Sequence, residues 1–144
     1  MKLIVQIPCL NEEKTLPVTL SAIPKEIDGI GSVEILVIDD GSSDRTVEVA
    51  REHGVDHILQ FASNRGLAKA FMFGIHHALK LGADVIVNTD ADNQYFGGDI
   101  PSLIKPILQK QADIVIGDRQ VETIPHFSML KIVLQKFGSW VVRQ

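Results

Sequence analysis

The sequence predicts an α/β domain with a mostly parallel central sheet flanked by helices. Short apolar runs rich in β-branched residues alternate with segments of helical periodicity, an order that is typical of βαβ units. Acidic residues directly follow two of these runs, and α/β proteins place their functional groups at the carboxyl ends of parallel strands. The fold class and the location of a site are therefore predicted together.

Apolar runs bounded by polar or turn residues are predicted to be strands, and they lie at residues 3–8, 33–38, 55–61, 84–87 and 113–117. Helices are predicted between them. Thr15 caps the first helix, with Pro17 in its first turn, where the missing N–H of proline is tolerated. The second helix covers residues 45–53 and stops at Gly54, and another begins at Pro101.

Two further helical segments have an apolar stripe. One ends at Gly82 and is predicted to pack on the sheet through residues at helical spacing, namely Leu67, Ala70, Phe71, Gly74, Ile75 and Ala78. The other, residues 128–144, is amphipathic and is expected to be a core or interface helix, with a lipid surface as the alternative because its other positions include basic residues. The sequence ends at Gln144 without a capping or stop signal, which predicts a C-terminally truncated domain.

Length and composition fit one soluble domain. The 144 residues, 45% of them hydrophobic and 22% charged, are sufficient for a sizeable core. The net charge of −4 argues against a nucleic-acid surface, and it requires a cation wherever a phosphate ligand meets acidic residues. The lone Cys9 cannot form an internal disulfide and is expected to be a small buried hydrophobe. No membrane-spanning helix is predicted, because no run reaches the roughly 18 consecutive apolar residues that such a helix requires.

Acidic residues mark the expected site. Asp90 and Asp92 follow the strand at 84–87, and residues two apart in an extended segment point to the same side, so that Gln94 adds a third oxygen. Such a set suits a hard divalent cation. Asp39 and Asp40 follow the strand at 33–38, and we expect both groups at one edge of the sheet. The alternative for Asp39 and Asp40 is a helix cap and turn without a ligand.

Motifs in order along the chain resemble those of family 2 glycosyltransferases, over residues 3 to about 119. They are Ile-Pro-Cys-Leu-Asn-Glu-Glu at 7–13, Asp-Asp-Gly-Ser-Ser-Asp-Arg-Thr at 39–46, Asn-Arg-Gly at 64–66, Asp-Ala-Asp at 90–92 and Gly-Asp-Arg at 117–119. The glutamine at Gln94 makes the chain most similar to the polyprenyl-phosphate group of that family, the dolichol-phosphate mannose synthase type.

The resemblance implies a Rossmann-like GT-A fold and a hexosyltransferase of cell envelope biosynthesis. It implies a UDP- or GDP-sugar donor, Mg²⁺ or Mn²⁺ as cofactor, inversion at the anomeric carbon, and a lipid phosphate such as polyprenyl phosphate, or a saccharide, as acceptor. Residues 1–119 would form the nucleotide-sugar binding domain, and residues 120–144 would begin the acceptor-side region. A cytoplasmic location is expected, with peripheral association with the inner face of the cell membrane as an open alternative.

The resemblance also implies individual roles. Asp90, Asp92 and Gln94 would hold the metal ion, Asp92 and Arg119 would serve catalysis at the diphosphate, and Asp40 would bind the base. The remaining donor-binding residues would be Pro8, Leu10, Asn11, Glu12, Asp39, Asn64, Arg65, Gly66, Lys69 and Ala91.

The sequence departs from the resemblance in two respects. First, relatives that transfer sugar to a hydroxyl usually supply the general base from a segment beyond the residues present here. A hydroxyl acceptor needs such a base, whereas a lipid phosphate is already an anion and needs none. Asp118 is the candidate substitute. Tyr95 and Phe96 stand where the mannose synthase type commonly shows His-Pro, so the donor sugar and the acceptor stay open.

Other function classes remain as alternatives or are disfavoured. A non-catalytic nucleotide-sugar binding fragment is one alternative. A Mg²⁺-dependent receiver-like signalling domain is another, although it expects its acidic pair after the first strand, which here ends in Pro8-Cys9. A Rossmann dehydrogenase is disfavoured because no G-x-G-x-x-G follows that strand. His76 and His77 diverge around a helix and are not expected to share a metal ion.

Overall fold

The computed structural model describes residues 1–117. Within that range the strands are β1 (Lys2–Cys9), β2 (Ser32–Asp39), β3 (His57–Gln60) and β4 (Val85–Asn88). The helices are α1 (Leu16–Ala22), α2 (Thr46–Glu52), α3 (Leu67–Lys80) and α4 (Ile100–Leu108), the last preceded by a 3₁₀ turn at Gly97–Asp99. Residues 1–113 form one compact unit, and the described part of the second unit is residues 114–117. The alternation of strands and helices predicted up to residue 108 is confirmed.

The strands form one parallel sheet in the order β3-β2-β1-β4. Cys9 at the end of β1 is in register with Asp39 at the end of β2, and Gln6 is in register with Asn88 at the end of β4. Parallel strands bring all their carboxyl ends to one edge. The segments that follow β2 and β4 therefore flank the segment that follows the central strand β1.

Side chains of β1 alternate between two apolar layers, as expected for a strand covered on both faces. Leu3 and Val5 belong to the layer that includes Leu20 of α1, Ala50 of α2 and Ile104 of α4. On the other face, Ile4 belongs to the layer that α3 covers. Every strand of the sheet is parallel, so helices must cross from one strand to the next, and they cover both faces. The fold is thus a three-layer α/β arrangement with β1 and β2 at its centre.

The packing of α3 differs in part from the prediction. Ala70, Gly74 and Ala78 face the sheet as predicted, and a Cβ atom at Gly74 would lie 2.3 Å from Oε1 of the buried Gln6. Leu67 and Phe71 do not pack there, and they are 66% and 37% exposed. Ile75, also predicted to face the sheet, is only partly buried and lies outside the apolar layers of the core. The helix lies so close to β1 that only its smallest side chains fit between them, and its larger apolar side chains remain outside.

Two local predictions were wrong. The run at 113–117 does not form a fifth strand, and Ile114 and Ile116 are 81% and 88% exposed. A short run of β-branched residues fits a strand, but a strand also needs a neighbour to satisfy its backbone, and the sequence pattern does not reveal whether one exists. Thr15 precedes α1 as predicted, yet its hydroxyl makes no capping bond and donates to the Glu12 carboxylate instead.

Some predictions fall on other parts of the chain. The expected helix at 128–144 and the residues Asp118 and Arg119 lie outside the described residues. Of the helices in residues 1–117, none is long and apolar enough to cross a lipid bilayer.

Candidate functional site

The acidic loop after β4 has the alternation that the sequence predicts. Thr89 and Ala91 are buried, at 6% and 3% exposure, while Asp90 and Asp92 are partly exposed on the other side. Two anchors hold the loop: the Thr89 amide donates to the Gln6 carbonyl of β1 at 3.2 Å, and the Thr19 hydroxyl of α1 donates to the Ala91 carbonyl at 3.0 Å. The two carboxylates therefore project together from a fixed piece of backbone.

Asp92 is oriented by the turn that follows it. Its Oδ1 accepts the backbone amide of Gln94 at 3.0 Å, and Asn93 between them is in the left-handed region, with φ of 57°. An aspartate that accepts the amide two residues on forms an Asx turn, which restricts the rotation of its side chain.

Asp40 lies on the other side of β1, where it ties the carboxyl end of β2 to the loop after β3. Its Oδ1 accepts the Arg65 amide at 2.7 Å and its Oδ2 accepts the Gly66 amide at 2.9 Å. The residue is only 4% exposed. Because an ionised carboxylate has about four acceptor positions, these two bonds leave capacity for a ligand donor. Asp40 thus has a structural role in addition to the base-binding role that remains a prediction.

The segment after β1 is cross-linked to the segment after β2. The Asn11 amide donates to the Ser42 hydroxyl at 2.9 Å, and Asn11 Oδ1 accepts the Ser43 amide at 2.9 Å. The Glu12 amide donates to the Thr46 hydroxyl at 2.8 Å. Asp39 is fully buried and accepts the Ser42 amide at 3.3 Å. These bonds join the two segments, residues 11–13 and 39–46, into one ledge beside the acidic loop. The turn that was the alternative role for Asp39 is therefore part of what Asp39 does.

Gly41 is required by both backbone conformation and space. Its φ is +78°, and a Cβ atom there would lie 2.6 Å from the carbonyl carbon of Ser63. Gly54 has a similar φ of +68° but nothing within 4 Å of the corresponding position. Substitution at Gly54 would therefore introduce backbone strain alone, whereas substitution at Gly41 would introduce backbone strain and a steric clash.

We expect Gly41→Ala to lower the free energy of unfolding by at least about 2 kcal/mol more than Gly54→Ala, because only the first substitution forces the loop after β3 away from Asp40. Urea unfolding of both variants checks this. Equal losses would mean that the loop at 63–66 moves without cost, and the close packing of Gly41 against Ser63 would then not contribute to stability.

Asp44 holds the ledge through its carboxylate. Burial disfavours its charge, but the Thr46 hydroxyl and the backbone amides of Glu13 and Thr46 donate to it and hold its pKa below the ordinary value. A folded-state pKa below that of the unfolded chain adds stability above the unfolded value, near pH 4. That stability is lost as the pH falls through the folded-state pKa.

The Asp44→Asn variant should therefore be less stable than the parent at neutral pH, and the gap should close in acid. Urea midpoints measured from neutral to acidic pH test this, with Asp28→Asn as the control because Asp28 is exposed in the loop before β2. A gap that stays constant down to pH 2 would contradict the assigned role, since about pH 2 lies well below the ordinary range for aspartate.

A cleft opens beside Asp40. It has a volume of about 320 Å³ and is lined by Gly41, Ser42, Gln60, Phe61 and Ala62. At its border the Arg65 guanidinium lies 5.3 Å from the centre of the Phe61 ring. The Phe61 and Phe73 rings are nearly perpendicular, with their centres 5.3 Å apart. The cation–π contact orients Arg65 near the candidate site. Sequence reasoning did not find Phe61, because a phenylalanine near a strand end gives no signal beyond packing.

The site residues described so far fit a divalent cation by the chemistry of their donors. Asp90, Asp92 and Gln94 offer carboxylate and amide oxygens, the ligands that Mg²⁺ and Mn²⁺ take. In residues 1–117, no three His, Cys, Asp or Glu side chains group together to hold a metal ion. The predicted set has two carboxylates and one amide, and Mg²⁺ commonly uses one or two carboxylates and completes its shell with water and substrate phosphate.

Most predicted site residues thus lie at one edge of the sheet. Pro8, Leu10, Asn11 and Glu12 end or follow β1; Asp39 and Asp40 end or follow β2; Asn64, Arg65, Gly66 and Lys69 lie between β3 and the first turn of α3; and Asp90, Ala91, Asp92 and Gln94 follow β4. Arg119 is outside the described residues. Cys9 is buried at 2% exposure, and burial, assisted by nearby carboxylates, raises the pKa of its thiol, which fits the predicted small hydrophobe.

Known proteins resemble this arrangement. The chain is 33% identical over 125 residues to an undecaprenyl-phosphate mannosyltransferase of Micrococcus luteus, covering 84% of this chain and 49% of that protein. It is 37% identical over 125 residues to a dolichol-phosphate mannosyltransferase of Pyrococcus furiosus, covering 85% and 34%. A solved structure of a mannosyltransferase from Pyrobaculum calidifontis, in complex with GDP-Man and Mn²⁺, superimposes with a TM-score of 0.62 at 22% identity, covering 77% and 32%. The chain spans at most about half the length of these relatives.

The sequence profile of glycosyl transferase family 2 matches residues 4–131. The family resemblance, its similarity to the polyprenyl-phosphate mannose synthase group and the predicted GT-A fold are confirmed. The chain belongs to glycosyl transferase family 2.

Proposed function

We propose that this chain is the donor-binding part of a transferase that moves a sugar from a nucleotide diphosphate sugar to a polyprenyl phosphate, with inversion and with Mg²⁺ or Mn²⁺. Two relatives are named for transfer of mannose to undecaprenyl phosphate and to dolichol phosphate. A protein of similar fold was solved with GDP-Man and Mn²⁺. These names support the donor and acceptor classes, and the identity of the sugar stays open between the UDP- and GDP-linked donors.

The observation that carries the proposal is the position of two anchored acidic groups on either side of the β1 end. Strands in a sheet are about 4.8 Å apart, so the ends of β2 and β4, separated by β1, lie roughly 10 Å apart. That span is suited to a nucleoside at Asp40 and a diphosphate at Asp92. Residues 11–13, the part of the ledge that follows β1, would lie between the nucleoside and the diphosphate.

A cation held by Asp90, Asp92 and Gln94 would supply Lewis-acid stabilisation of the negative charge on the departing nucleoside diphosphate. The chain's own residues would do the rest. Asp40 would accept a donor from the base, and Arg65 would meet donor charge from the edge of the cleft. Arg119 would add a guanidinium, which binds phosphate oxygens more rigidly than lysine does.

A lipid-phosphate acceptor would need no general base from this edge of the sheet. Such an acceptor attacks as an anion, so no residue has to remove a proton from it. The exposed aromatic side chains of Tyr95 and Phe96, at 41% and 67% exposure, directly follow the acidic loop. We accordingly propose that the protein works at the inner face of a membrane.

The test is a calorimetric titration of the full chain with GDP-sugars and UDP-sugars, in Mn²⁺ and again in EDTA. We expect binding of one nucleotide class in Mn²⁺ and its loss in EDTA. A separate assay of transfer to polyprenyl phosphate distinguishes an enzyme from a binding module without turnover. Absence of binding to either class, together with phosphorylation by acetyl phosphate, would refute the proposal and favour a receiver-like domain.

A further inference from the structure

We propose that the outer face of α3 lies on an anionic lipid surface. This outer face consists of an apolar stripe, Ala68, Met72, Ile75 and Leu79, and a neighbouring basic row, Lys69, His76 and Lys80. The inference rests on the proposed function, because a polyprenyl-phosphate acceptor is held in a membrane. It assigns the membrane contact to an element within the donor-binding part of the chain.

Three members of the apolar stripe, Ala68, Met72 and Leu79, are exposed and Ile75 is partly buried, although soluble helices usually turn such a stripe to the core. Its members are spaced by four, three and four residues, which keeps them on one side of the helix. Met72 and Leu79 are 52% and 59% exposed, while the side facing the sheet is made by Ala70, Gly74 and Ala78. Two apolar sides on one helix indicate two apolar neighbours, and the sheet is one of them.

The charge around the stripe identifies the second neighbour. Residues 57–83 contain no Asp or Glu, in a chain that has 18 acidic residues and a net charge of −4. Arg65, Lys69 and Lys80 are the cations of that segment. An apolar stripe flanked by basic residues is the pattern of a helix that lies in the interface of a membrane, where each cation is attracted by anionic headgroups. The rest of the acidic chain would be repelled, which orients α3 toward the lipid.

The orientation of α3 also suits the proposed reaction. The helix begins at Leu67, directly after the Gly66 amide that donates to Asp40 at 2.9 Å. Leu67 is 66% exposed at this end. The amino end of α3 therefore lies at the edge of the sheet that carries the candidate site, so that a membrane in contact with α3 would pass beside that edge.

Flotation of the full chain with vesicles tests the proposal. We expect binding to vesicles of equimolar phosphatidylcholine and phosphatidylglycerol, and none to phosphatidylcholine alone. Lys80→Gln should weaken binding about fivefold, the factor that corresponds to one headgroup-facing cation. The double variant Met72→Gln with Leu79→Gln should weaken it at least about tenfold, because two partly inserted side chains are lost.

Matched controls make the same chemical changes elsewhere. Val18→Gln alters an apolar residue of α1 that is 51% exposed, and Lys25→Gln removes an exposed cation after α1. Both should bind vesicles like the parent. Circular dichroism confirms folding, which glutamine at exposed helix positions should preserve.

The outcomes separate this inference from the proposed function. The proposed contact of α3 with lipid would be overturned if the parent did not bind vesicles. It would also be overturned if the control variants weakened vesicle binding as much as the α3 variants do. A parent dimer that Met72→Gln dissociates, seen by sedimentation velocity without vesicle binding, would also overturn it and assign the face to a second copy. Calorimetry with nucleotide sugars should give equal affinities for the parent and the α3 variants. If the parent binds vesicles through α3 but binds no nucleotide sugar, the proposed function fails alone.

Discussion

Asp92→Ala is expected to abolish the Mn²⁺-dependent binding of nucleotide sugar. Asp92 is one of two carboxylates on the anchored loop after β4, and its side chain is oriented by the Gln94 amide at 3.0 Å. Changes to groups that only support a metal ligand cost about 10- to 100-fold in affinity, so removal of a ligand itself should cost more than about 100-fold. Calorimetric titration of Mn²⁺ with the nucleotide sugar measures the effect.

Asp28→Ala is the matched control for that experiment. Asp28 is exposed in the loop before β2, at the amino edge of the sheet, and its loss should leave the affinity unchanged. An Asp92→Ala protein that is folded and binds the nucleotide sugar as tightly as the parent in Mn²⁺ would remove Asp92 from the metal site.

Asp40→Ala should affect both stability and binding. Its buried carboxylate accepts two backbone amides, from Arg65 and Gly66, and a hydrogen bond to a charged group contributes about 1.5 to 3 kcal/mol. We expect the free energy of unfolding to fall by about 3 kcal/mol, since part of the loss is recovered when water reaches the loop. Donor affinity should fall as well, because the loop carrying Arg65 loses its anchor.

Urea unfolding and calorimetry on the same Asp40→Ala preparation separate the two effects, with Asp28→Ala again as the control. If the variant unfolds at the parent's urea midpoint, Asp40 does not hold the loop after β3. A loss of stability with full donor affinity would restrict Asp40 to a structural role and refute its assignment to the base.

The sequence was sufficient to predict the sheet and the edge at which the candidate site residues lie. Parallel strands necessarily share a carboxyl edge, so Asp40 and Asp92 could be assigned to one side of the molecule from the βαβ order alone. The alternation of buried and partly exposed residues from Thr89 to Asp92 also followed from the two-residue period of extended backbone.

Contacts that depend on tertiary approach could not be predicted in the same way. The bonds from Asp40 to the amides 25 and 26 residues further along depend on how closely the loop after β3 passes Gly41. The outward position of Met72 and Leu79 was equally hidden, because helical periodicity identifies stripes but does not say which one meets the sheet. The run at 113–117 shows the same limit for strands, since its apolar pattern was read without a known partner.

Paramagnetic broadening of backbone amide signals by Mn²⁺, recorded with bound nucleotide sugar, tests most directly whether the loops after β1, β2 and β4 share one ligand. We expect the strongest broadening at Asn11, Asp40 and Ala91, and the weakest at Gly31 and Gly82 on the opposite edge of the sheet. Broadening confined to the neighbourhood of Ala91, with unchanged signals from Asn11 and Asp40 on adding nucleotide sugar, would contradict a shared site.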